Sequence, residues 1–175
     1  MKFLVKDQKD QKEKFSLIYD DYQFLTDPGI ETTGYGAITV NYLELQLDED
    51  GRIAFLFGYE PLAIYEETNN FPKQYESKDL IAVLDNEPGP DDFPGLPTYN
   101  LVKNSEWPNK SEWSTYINKK EGWVCVGDPT IEDKRLIEFA PDCVAALDKE
   151  NEMVAIWLHP RELPAHVYEK GHERP

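Results

Sequence analysis

Basic charge, cysteine and long apolar runs are all scarce in this chain. Its 18 Lys and Arg face 34 Asp and Glu, a formal charge of −16 at pH 7. A field of that sign repels phosphates over the whole surface, which argues against nucleic acid and anionic membrane as partners. Two cysteines, Cys125 and Cys143, make no disulfide framework and read as reduced thiols of a cytoplasmic protein. No stretch approaches the roughly 20 apolar residues of a membrane-spanning helix. Residues 1–5 hold an apolar run of three where a secretory signal needs about 7–15.

The signatures of chemistry are also missing. The three histidines, His159, His166 and His172, fall in the last seventeen residues, and the cysteines have no second ligand beside them. A metal centre needs several such groups at short spacing, so no metal and no cofactor is expected. There is no Gly-x-Ser-x-Gly elbow, no His-Glu-x-x-His and no phosphate-cradling glycine loop, so no residue is assigned a catalytic role. The acidic run around Asp85, Asp91 and Asp92 lacks the alternating ligands, central glycine and closing Glu of a calcium loop.

What is present is bulk. With 175 residues and 4 Trp, 10 Tyr and 8 Phe, the chain can bury about 70% of the surface its unfolded form would expose. It is read as one domain over 1–175, with a polar lead-in (1–14), a Pro-rich exposed loop (88–98) and a loose tail (169–175). Residues 36–57 carry the clearest pattern. Ile38, Val40, Tyr42, Leu43, Leu45 and Leu47 nearly alternate, Asp48-Glu49-Asp50-Gly51 supplies a turn, and 53–57 is a second apolar run. That is a β-hairpin, and the change of parity at Tyr42-Leu43 predicts a bulge or a sheet covered on both faces.

A second hairpin is expected at 143–158, with Trp157 in the core, and a short strand at 123–126. Residues 15–25 are ambiguous, with strand favoured. The segment 109–122 has the punctuation of a short amphipathic helix: Asn109 as cap, Trp113, Tyr116 and Ile117 at i, i+3 and i+4, and Gly122 as stop. The fold class that follows is α+β, one domain dominated by antiparallel hairpins with one or two short helices packed on the sheet. Leu47-Asp48 and Leu147-Asp148 enter their turns alike; shared turn grammar accounts for this, with a duplicated unit as the alternative.

Acids recur beside aromatics. Tyr19-Asp20-Asp21-Tyr22, then Tyr59-Glu60 and Tyr65-Glu66-Glu67, then Asp91-Asp92-Phe93 each combine a hot-spot ring with a carboxylate able to pair Lys or Arg. These twelve residues are the expected contacts for a partner. The expected function is a non-enzymatic acidic binding protein that neutralises or regulates a basic partner protein, since complementary fields speed association. In size, acidity and want of catalytic motifs the chain is similar in character to the immunity proteins with which bacteria restrain their own basic toxins, a likeness of composition that covers no motif. The alternative is a small-molecule-binding or hydrolase-like enzyme with an aromatic-lined pocket.

Overall fold

Apolar and polar residues alternate through much of the chain, and the backbone follows that alternation into strands. The structure is a computed structural model that describes residues 1–8, 16–26, 35–84, 98–101 and 113–169. In chain order the strands are β1 (Phe3–Lys6), β2 (Leu17–Asp20), β3 (Gln23–Thr26), β4 (Gly36–Val40), β5 (Leu43–Leu47), β6 (Ile53–Tyr59), β7 (Glu66–Glu67) and β8 (Glu76–Ser77). After them come β9 (Asp79–Ala82), β10 (Thr98–Asn100), β11 (Thr115–Asn118), β12 (Trp123–Gly127), β13 (Arg135–Ala140), β14 (Cys143–Leu147) and β15 (Met153–Leu158). The one helical element among the described residues is a 3-10 turn, Ala165–Val167. Among the described residues no helix is long and apolar enough to cross a membrane.

The α+β expectation is therefore corrected to an almost purely β fold. The helix read at 109–122 is strand β11 followed by a turn, in so far as it lies within the described residues. Trp113, Tyr116 and Ile117 sit at helical spacing by coincidence. What decides is pairing: Thr115 to Asn118 match Val126 to Trp123 residue for residue, and the gain from a filled ladder outweighs a weak local propensity. Gly122, with φ +74°, closes a hairpin instead of stopping a helix. The 36–57 segment holds one more turn than expected. Asn41, at φ 53°, and Tyr42 reverse the chain between β4 and β5, so the parity change is a tight turn and Val40, Leu43, Leu45 and Leu47 all face inward. β1 lies within the expected polar lead-in.

The strands form a six-stranded sheet in the order β10-β4-β5-β6-β3-β2, a seven-stranded sheet in the order β7-β11-β12-β15-β14-β13-β8, and a two-stranded sheet β1-β9. Five strands of each larger sheet correspond in order: β3, β5 and β6 match β12, β14 and β15 at an offset of 100 residues, and β4 and β2 match β13 and β11 at offsets a residue or two smaller. Leu25 faces Phe57 as Cys125 faces Trp157, Leu43 faces Gly58 as Cys143 faces Leu158, and the register slips between Gln46 and Leu47 as between Ala146 and Leu147. The turns agree to the atom: Asp48 Oδ1 accepts the N–H of Asp50 and Arg52, and Asp148 Oδ1 accepts those of Glu150 and Glu152. β1 and β9 complete the relation, since Phe3 N–H donates to Asn151 O and Ala82 N–H to Gly51 O, each at 2.9 Å, while Phe3 pairs with Ala82. Generic turn chemistry does not extend so far, and the chain holds two units of one strand topology. The sequence carries the trace as Asp27-Pro28-Gly29-Ile30-Glu31 and Asp128-Pro129-Thr130-Ile131-Glu132.

One buried cluster joins the inner faces of both large sheets, including Leu45, Leu56, Val124 and Ile156. Asn41 and Trp113 bind the units reciprocally, each side-chain amide or backbone group at 2.9 Å. The outer faces differ. On the seven-stranded sheet Cys125, Val144 and Trp157 are fully buried beneath Phe71 and Ile131. Their counterparts on the six-stranded sheet, Leu25, Glu44 and Phe57, are not fully buried, and Leu25 is 43% exposed.

Candidate binding surface

The tip of the β2–β3 hairpin is a two-residue turn closed by the Asp20–Gln23 pair. Asp21 (φ 45°) and Tyr22 (φ 66°) both occupy the left-handed region that such a turn demands. Aspartate tolerates that region, whereas a bulky tyrosine is strained there, and strain of this kind persists only where neighbours impose it. Here Glu60 N–H holds Tyr22 O at 2.8 Å. At the equivalent tip of the other unit the chain uses Gly122, which pays no such penalty.

This turn delivers Tyr22 to Tyr59, with ring centroids 6.3 Å apart, and Tyr59 meets Tyr42 edge-on at 6.4 Å. His166 lies 6.4 Å from the Tyr22 ring on its other flank. All three tyrosines are about half exposed, and Asp20 and Asp21 beside them are open to solvent. Beneath the rings, Tyr19 Oη donates to Glu60 O at 2.9 Å and its ring meets Phe24 edge-on. Burial, then the neighbouring Glu60 carboxylate, pushes the Tyr19 phenol well above its ordinary range. Glu60 is itself buried and accepts from Thr115 Oγ1 at 3.4 Å.

Of the expected contacts, then, Tyr19, Asp20, Asp21, Tyr22, Tyr59 and Glu60 converge, although Tyr19 and Glu60 serve as support instead of surface. Tyr65, Glu66 and Glu67 lie on the edge of the other sheet. Tyr65 Oη donates to Val167 O, Lys119 Nζ stands 5.4 Å from the Tyr65 ring, and Glu67 pairs with Lys119 at 2.6 Å. Asp91, Asp92 and Phe93 fall outside the described residues. Sequence reasoning missed Tyr42 and His166. Tyr42 was legible only as the point where alternation breaks, which marks the turn that presents it.

The corresponding tip in the second unit is two residues longer and mixed in charge. It carries Lys119, Lys120 and Glu121, and His159, the counterpart of Tyr59, stacks on Trp123 at 4.6 Å while its Nε2 lies 3.1 Å from Glu121 O. A hollow of about 610 Å³ opens there, bordered by Lys119, Lys120, Glu121, His159, Arg161 and Tyr168. Among the described residues no three His, Cys, Asp or Glu side chains converge as metal ligands would. No protein-family model matches the chain, and no curated protein matches it.

Proposed function

We propose that the chain is a non-enzymatic binding protein that neutralises or regulates a basic partner protein, docking it on the end of the six-stranded sheet. The observation that carries this reading is the contact row Tyr22, Tyr59 and Tyr42, half exposed, with Asp20 and Asp21 at its rim. Large rings with few rotatable bonds anchor at low entropic cost, and open carboxylates beside them select Lys and Arg. The net charge of −16 adds long-range steering, which acts on the encounter more than on the final complex. The compartment that suits the reading is the cytoplasm, supported by two free, buried thiols.

The test is binding kinetics with the basic protein recovered from the source cell, at two ionic strengths. The expected result is association slowed strongly by salt with dissociation little changed, and Asp20→Lys with Asp21→Lys mimicking the salt effect. Tyr59→Ala should act on dissociation instead. Recovery of no basic protein, together with turnover of a small substrate by the purified chain, would overturn the reading. The alternative, a small-molecule binder or hydrolase-like enzyme, called for an apolar aromatic pocket. The hollow at Lys119 and Arg161 has Lys119, Lys120, Glu121, Arg161 and Glu162 on its border and one tyrosine, Tyr168, which favours it less.

A further inference from the structure

The two units match strand for strand except at one edge. In the seven-stranded sheet β11 is covered by β7, which runs parallel to it with Tyr116 opposite Glu66 and Ile117 opposite Glu67, and Thr68 N–H donates to Ile117 O at 3.0 Å. The equivalent strand in the six-stranded sheet is β2, and among the described residues no strand covers it. At its start the edge groups of Leu17 face outward and are held by the chain itself, Leu17 N–H by Asp142 Oδ2 and Leu17 O by Arg161 N–H, so the open part of the edge lies beyond it, at Tyr19. Strand periodicity then turns the N–H and C=O of Tyr19 to the same open side. Tyr19 is thus the counterpart of Ile117.

From this we infer that the β2 edge is a strand-addition site for an extended, Lys/Arg-rich segment of the partner, running parallel to β2 as β7 runs parallel to β11. The inference rests on the basic-partner reading and specifies the form in which that partner binds. Three features select the occupant. The chain itself shows that an extended segment fits on the equivalent edge. Ile18 and Leu25, a cross-strand pair on the outer face, are 40% and 43% exposed and offer apolar contact to alternate side chains. Asp20 and Asp21 stand where the added strand would leave the edge and favour cations there. An acidic or neutral segment would gain the ladder bonds without the charge pairing.

The probe is a synthetic heptapeptide alternating Lys with Val and Phe, Lys at positions one, three, five and seven, and a second peptide identical but N-methylated at alternate backbone amides. Methylation removes the ladder donors and keeps charge and apolar content. Amide exchange and chemical shifts of the full chain are followed in both titrations. The expected result is protection of the Tyr19 amide by the first peptide and at least tenfold weaker binding of the second. Equal binding of the two peptides would overturn strand addition while leaving the charge reading standing. Binding of neither would overturn strand addition, and the kinetics with the natural partner would then judge the charge reading alone. A Tyr19 amide already protected in the free chain would show that a segment of the chain itself holds the edge, and would also overturn the inference.

Discussion

Trp157 shows how much one side chain carries. It is fully buried on the outer face of the seven-stranded sheet, edge-on to Trp123 at 6.5 Å, and its indole N–H has no hydrogen-bond partner among the described residues. Truncation, Trp157→Ala, should cost about 3–5 kcal/mol by loss of transfer energy and creation of a cavity. Trp157→Phe should cost clearly less, because it deletes the unpaired donor along with part of the ring. Urea denaturation of the three proteins checks both, and a phenylalanine variant as unstable as the alanine one would contradict the account. Cys125 and Cys143 are a second test at this scale. Burial pushes both thiols well above the ordinary cysteine range, so the thiolate that reacts is scarce. A thiol reagent near pH 8 should label neither residue in the folded chain and both after unfolding.

Among the elements, the two matched turns and two glycines are the sharpest points. At Gly58, φ +144°, an added Cβ would lie 2.6 Å from Leu43 Cα, and at Gly127, φ +116°, 2.8 Å from Ala155 Cα. Both obstacles are backbone, so Gly58→Ala and Gly127→Ala should each destabilise the fold by more than about 2 kcal/mol, through strain as well as overlap. Asp48 gives a pH dependence. Burial raises its carboxyl pKa, but the Arg52 side chain and the N–H groups of Arg52 and Asp50 outweigh burial and hold it below the ordinary range. A depressed folded pKa stabilises fully above the unfolded value of about 4 and is lost as the pH falls through the folded one. Stability should therefore drop below about pH 4, and Asp48→Asn should flatten that drop while lowering stability at pH 7. The hairpins at 36–57 and 143–158 were legible because burial of one face writes a period of two into Leu43, Leu45 and Leu47. The β11 strand was not, because its identity comes from β12, β7 and the ladder they build. The rings of the candidate surface were legible as composition near Tyr19 and Tyr59. Their meeting with Tyr42 depended on a turn that alternation alone reads as a bulge.

For the molecule as a whole, two units of one topology end in hairpin tips of different length and charge, Asp20-Asp21 at one and Lys119-Lys120-Glu121 at the other. Reversing the acidic tip should slow association with a basic protein, whereas Lys119→Glu with Lys120→Glu should leave it unchanged or quicken it, as stopped-flow mixing would show. The small β1-β9 sheet has another bearing, on the speed of folding. Phe3 is held by Asn151 and Lys2 bridges to Glu152, so β1 is anchored to the turn that enters β15, far from it along the chain. Loops of that length are slow to close. Until they do, β1 and β9, though able to pair with each other, lack their hold on the turns at Asn151 and Gly51, and the half-made fold exposes strand edges that favour aggregation.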